Sequence, residues 1–163
     1  MIIKCDYRIA SVTDGYGLLL RNKHLNDAEH RYPGNSVLFI HGATYGSTST
    51  FDYEIEGESW MDKMAGEGFD VWCLDLLGYG ESDRPEEMLV APGLNDPIVD
   101  TAHAIAEVDR AVDFILKDRV VHQLSLIGYS WGSAICGRYA GQFERKVSRL
   151  VLSGALWVEK GAT

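Results

Sequence analysis

The 163 residues carry 15 Lys plus Arg against 24 Asp plus Glu, a formal net charge of −9, and 46% of them are apolar. That balance excludes disordered, collagen-like and membrane-embedded chains, and a domain of this length buries about 70% of its unfolded surface, enough for a real core. It also argues against a nucleic-acid partner, because neutralising phosphates needs clustered Lys and Arg and the sequence has no such cluster. Cys5, Cys73 and Cys136 are odd in number and widely spaced, which fits a reducing compartment and no disulfide framework. The start, Met1-Ile2-Ile3-Lys4-Cys5-Asp6, lacks a basic head followed by an apolar run, and no apolar stretch nears the roughly 20 residues of a membrane span. The expected location is the cytoplasm, with no membrane partner.

In chain order, residues 2–12 and 18–21 read as strands separated by a hairpin-like turn at Asp14-Gly15-Tyr16-Gly17. From Ser36 the rhythm changes. Short apolar runs at 37–40, 71–74, 124–127 and 150–152 alternate with longer segments of helical period, which predicts parallel strands joined by crossover helices. Ser59 is placed to start a helix through Trp60, Met61, Met64 and Ala65, with Gly66 and Gly68 closing it. A longer helix over 101–117 sets Ile105, Val108, Val112 and Ile115 on one face and leaves Glu107, Arg110 and Asp113 largely off it. A third starts near Trp131 and runs through Phe143, while 85–97, with three prolines, reads as a loop. No repeat or linker divides the chain, so 1–163 is expected to form one α/β domain, a three-layer sandwich around a mostly parallel sheet.

The sharpest motif is Gly128-Tyr129-Ser130-Trp131-Gly132, lying between a predicted strand and a predicted helix. A serine on so tight a turn takes a strained backbone conformation, and glycine two residues to either side removes the collisions that side chains would cause. Ser130 is then a candidate nucleophile, and the Trp131 amide at the helix N-terminus a candidate donor to a developing oxyanion. After the strand at 37–40 comes His41-Gly42-Ala43-Thr44, where the glycine lets the backbone approach a ligand and the Ala43 N–H can supply a second donor. His41 itself is read as a loop-fixing residue and not as a base. Asp75-Leu76-Leu77-Gly78-Tyr79-Gly80 reads as a sharp turn whose amides Asp75 accepts. As a dinucleotide fingerprint it fails, since the third glycine and the immediate helix are missing.

These three elements, in this order at the ends of successive strands, resemble the α/β-hydrolase family. The stretches HGATYGSTSTFD and ESWMDKMAGEGFDVWCLDLLGYGESDRP look like a bacterial subgroup of unassigned substrate. The resemblance implies Ser130 as nucleophile, the amides of Ala43 and Trp131 as oxyanion hole, Gly128 and Gly132 as the elbow glycines, no cofactor and no metal. It implies a small ester-like substrate, cleaved as an ester, thioester or amide through an acyl-Ser130 intermediate. With serine in place of aspartate at the elbow, the dehalogenase and epoxide-opening branches are disfavoured.

The family's order is Ser, acid, His, yet no histidine follows His122 in this sequence. His103 reads as a solvated surface residue of its helix, and His122 lies at the opposite end of the elbow strand. Glu159, after the last strand, reads as a surface carboxylate. The resemblance therefore implies a C-terminally incomplete fold without lid or final strands, and an inactive chain when alone. The last strand, expected over 149–156, would form an exposed apolar edge, open to a complementing C-terminal segment or to self-association near Leu150. A non-catalytic binding or scaffold protein built on a hydrolase core is the alternative.

Overall fold

The computed structural model describes residues 1–26 and 34–155. Strands β1 (Ile2–Ala10) and β2 (Gly17–Leu25) form an antiparallel hairpin, closed where the Ser11 amide donates to Tyr16 O and Gly15 takes φ +84°. Then follow β3 (Ser36–Ile40), the short α1 (Ser47–Phe51), α2 (Trp60–Gly66), β4 (Asp70–Leu74), α3 (Thr101–Arg119), β5 (Leu124–Tyr129), α4 (Trp131–Gln142) and β6 (Val147–Ser153). The sheet order is β1-β2-β4-β3-β5-β6, antiparallel from β1 to β4 and parallel among β4, β3, β5 and β6. This is the expected α/β architecture.

Two apolar layers cover the central strands, and strand periodicity assigns their residues. Successive side chains point to opposite faces. Leu38 and Ile40 of β3 and Trp72 and Leu74 of β4 join the α3–α4 side, with Val108, Val112 and Tyr139. Val37, Phe39, Val71 and Cys73 join the α1–α2 side, with Phe51 and Met61. Burial on both faces explains why these runs are uniformly apolar.

Several boundaries differ from the sequence expectation. β2 continues past Arg21 through Asn22, Lys23 and His24, all buried, because partners satisfy their polar groups. Arg21 pairs with Asp6 at 2.7 Å and Asp52 at 3.1 Å, and Lys23 with Asp52 at 2.5 Å and Asp62 at 2.7 Å. The helix α1, built from Ser and Thr, was not expected. α2 starts as predicted, with Ser59 and Asp62 forming a reciprocal capping box. The 85–97 loop carries two short 3-10 turns, Glu86–Leu89 and Pro92–Leu94. β6 ends at Ser153, and Leu150, Val151 and Leu152 are 38 to 50% exposed on it, an apolar edge among the described residues. Leu156 and Glu159 lie outside the described residues. Among the described residues, no helix is long and apolar enough to cross a membrane.

Candidate active site

β5 delivers Ser130 to the carboxyl edge of the sheet, and α4 begins one residue later. Ser130 adopts φ +54°, ψ −119°, a conformation costly for a residue with a Cβ. Its amide donates to Ser153 O at 2.9 Å, while its carbonyl accepts from the Ser133 amide at 2.9 Å and from Ser133 Oγ at 2.5 Å. Both flanking glycines are required by backbone proximity. A Cβ on Gly128 would overlap the Gly132 carbonyl, and one on Gly132 would overlap Ile40 O and reach 2.5 Å from His41 O. The two glycines therefore seat the first turn of α4 directly on the end of β3.

That seating brings the β3 loop to the serine. A Cβ on Gly42 would lie 3.0 Å from Ser130 Cβ. His41 is fully buried and bonds through both ring nitrogens, Nδ1 to Gly42 O at 2.6 Å and Nε2 with the Leu76 amide at 3.2 Å. Since the Leu76 N–H can only donate, Nε2 must accept, and Nδ1 carries the proton. Burial holds the His41 pKa below the usual histidine range, consistent with this neutral tautomer. The Gly42 carbonyl shares a peptide plane with the Ala43 N–H, so fixing one fixes the other. The Ala43 carbonyl is held in turn by the Tyr79 hydroxyl at 2.9 Å. No described residue accepts a hydrogen bond from the Ala43 or Trp131 amide. Two donors without an acceptor among the described residues thus lie in the segments that flank Ser130, the second on the positive end of α4.

The turn after β4 is set by Asp75, which is fully buried. It accepts from the Thr48 amide at 3.2 Å, Thr48 Oγ1 at 3.1 Å and the Glu81 amide at 3.0 Å. A Cβ on Gly80 would overlap the Asp75 carboxylate. The turn is structural, as its sequence suggests.

Two readings of α3 need correction. Glu107, expected off the apolar face, is fully buried, accepting from Ser11 Oγ at 2.6 Å and from the Leu77 amide at 2.9 Å. His103, expected in solvent, has a side chain only 18% exposed, with Nε2 3.2 Å from Glu107 Oε1 and 3.5 Å from Thr13 Oγ1. The signal was present: position 107 stands three residues after Ala104 and four before Ala111, both buried on the same face. Sequence reasoning also missed the Tyr79 hydroxyl contact, which no local pattern encodes. His122 lies just before β5, at the end opposite Ser130. Among the described residues, no hydrogen bond joins Ser130 Oγ to a histidine or carboxylate, and none group as three or more possible metal ligands.

A largely parallel sheet with helices on both faces, and a strained serine on the strand-to-helix turn between two glycines, define the α/β-hydrolase class. The chain belongs to this family: the family model described as the alpha/beta hydrolase fold matches residues 35–161. The AB hydrolase superfamily protein YisY of Bacillus subtilis is 29% identical over 123 residues, covering 75% of this chain and 38% of that protein. An uncharacterised protein of Mycobacterium tuberculosis is 25% identical over 127 residues, covering 78% of this chain and 31% of its own length. Among solved structures, potato epoxide hydrolase I has a TM-score of 0.69 at 22% identity, covering 98% of this chain and 42% of that one. The thioesterase domain from the curacin biosynthetic pathway has a TM-score of 0.68 at 20% identity, covering 98% of this chain and 50% of that domain. At these identities the structural likeness shows the fold alone. The chain spans 31 to 38% of the length of these sequence relatives.

Proposed function

We propose that this chain is the nucleophile-bearing part of a serine hydrolase that cleaves an ester, thioester or amide through an acyl-Ser130 intermediate. The observation that carries the reading is the strained backbone of Ser130 beside two amides that have no acceptor among the described residues. Oγ would attack the carbonyl carbon, passing its proton to a base while the carbonyl oxygen takes the negative charge against Ala43 N–H and Trp131 N–H. Collapse expels the alcohol, thiol or amine with that proton, and water then cleaves the acyl ester. Each oxyanion donor of this kind contributes about a hundredfold or more in rate.

The base is not His41, whose two nitrogens are committed, nor His103, which is tied to Glu107. A histidine and an acid must come from residues outside those described or from a second polypeptide, such as a strand-forming segment paired to the β6 edge. Without them the serine hydroxyl is unactivated and the chain is inactive. The lack of a described partner for Ser130 Oγ also supports a second reading, a binding protein that retains the hydrolase core.

A fluorophosphonate probe separates the two. Labelling of Ser130 by this chain, or by a longer product of the same gene, that is lost in Ser130→Ala supports the hydrolase. No labelling in either form supports the binding protein.

A further inference from the structure

Between the turn after β4 and α3 lies an open, solvent-facing cavity of about 460 Å³, within the usual size range of small-molecule sites. Its floor is Leu77, fully buried; Tyr79, Ile98 and Val99 are half-buried in its walls, and Met88 and Val90, each 48% exposed, stand at its mouth. The wall is a built feature. Asn95 Nδ2 donates to Glu87 O at 2.9 Å and joins the two 3-10 turns, while Met88 packs on Gly78, where a Cβ would lie 2.6 Å from its sulfur. Glu87 and Asp96, both exposed, add carboxylates to the lining without an opposing cation among the lining residues.

Tyr79 is the link to the site. One end of its side chain lines this cavity, its hydroxyl holds the Ala43 carbonyl at 2.9 Å, and its ring lies 6.4 Å from the Trp131 ring. The cavity thus shares Tyr79 with the loop that carries the Ala43 N–H. We infer that it is the subsite for the alkyl arm of an uncharged substrate whose carbonyl sits at Ser130, which makes the preferred substrate a neutral, aliphatic ester or thioester. This rests on the acyl-Ser130 reading for its chemistry. The apolar walls supply affinity, because water leaving the accessible surface of Ile98, Val99, Met88 and Val90 is the main gain on binding. The carboxylates disfavour anions modestly, because a charged arm would approach the exposed Glu87 and Asp96 at close range.

The test needs no turnover. The methyl-ketone series from butanone to nonanone, neutral isosteres of the acyl part, is titrated against this chain by tryptophan fluorescence and by NMR. Affinity should rise about fourfold per methylene, the equilibrium factor of about 0.8 kcal/mol of buried CH₂. The terminal methyl should show NOEs to the Met88 and Val90 methyls, and the acetyl methyl to the Trp131 amide. Val90→Glu and Met88→Glu, at half-exposed positions that leave the core intact, should each abolish the chain-length dependence, with urea midpoints unchanged. Ser130→Ala should keep it. An alkyl carboxylate of equal length should bind more weakly and recover in Glu87→Gln/Asp96→Asn. Affinity that does not grow with chain length, or growth that survives both Glu variants, would overturn the subsite. So would a concentration-dependent size change abolished by Val90→Glu without ketone binding, which would make the patch a self-association surface. Absence of phosphonate labelling in both this chain and the longer gene product would sink the acyl reading while the titration still reports on the cavity.

Discussion

Gly132→Ala and Gly137→Ala should shift stability in opposite directions, although both glycines lie on α4. At Gly137 the nearest atom to a new Cβ is Leu152 Cδ1 at 4.0 Å, an ordinary contact. Alanine there gains about 0.5–1 kcal/mol from the reduced backbone entropy of the unfolded chain. At Gly132 the new atom meets the Ile40 and His41 carbonyls, and reaching ordinary contact with His41 O alone, at 3.4 Å instead of 2.5 Å, requires about 0.9 Å of movement. The obstacle is backbone on both sides, so α4 must lift from the end of β3. Overpacking of this kind costs about 1–3 kcal/mol. For a chain of this size that lowers Tm by about 2–12 °C, at 2–4 °C per kcal/mol. Urea unfolding and calorimetry of the two variants measure both values. Equal midpoints, or a Gly132→Ala variant as stable as the parent, would refute the claim that the elbow glycines are dictated by the approach of α4 to β3.

Ser130→Gly should stabilise the chain by about 1–3 kcal/mol, because glycine accepts φ +54° freely; Ser130→Ala, with its Cβ, should not, and matching melting temperatures for the two would remove the strain argument. His41 has a pKa below its unfolded value near 6.5, so it contributes stability in full above that pH and loses it as pH falls toward the lower folded value. Unfolding free energies measured from neutral to acid pH should show this slope, and His41→Gln should flatten it; an unchanged profile in that variant would place the effect elsewhere. Burial raises the Asp70 carboxyl, but hydrogen bonds from Arg119, Trp72 and Asn22 more than offset this and hold it below the usual range. Its contribution is therefore present above about pH 4 and lost as pH falls through the folded pKa. Asp70→Asn should cost about 1–3 kcal/mol, because Arg119 loses its most buried carboxylate while keeping Asp118 and Asn22 Oδ1, and Arg119→Met in the same chain should recover part of it; strict additivity in that double-mutant cycle would show the pair to be uncoupled.

The central strands were legible because both faces bury apolar side chains: β3 and β4 carry uninterrupted apolar runs, and β5 one broken only by Ser125. The elbow was legible because Gly128 answers a steric demand from Gly132 within five residues of chain, whereas the demand on Gly132 comes from Ile40 and His41 at the end of β3. β2 was cut short in the reading because Arg21 and Lys23 look like turn or surface residues until Asp52 and Asp62, which neutralise them, are folded against them. α1 was missed because Ser and Thr form poor helices, and its first turn is held by Asp75 accepting from Thr48, 27 residues away. Glu107 shows a different failure: its spacing marked it as a core position, and its charge hid it until Ser11 and the Leu77 amide were seen to satisfy it.

The Glu107 contacts also set an order of assembly. Ser11 meets Glu107 across 96 positions of sequence, Leu77 meets it across 30, and the next amide, Leu76, orients His41 across 35. The peptide that presents the Ala43 N–H is held by the last of these links, so it cannot take its final geometry until the hairpin, α3 and the β4 turn have all closed their loops. Contacts of such separation form slowly. The sheet should consequently gain protection from hydrogen exchange before the loop at Gly42 does, and the placement of the Ala43 peptide beside Ser130 should be the last geometry this chain acquires on folding and the first it loses on partial unfolding.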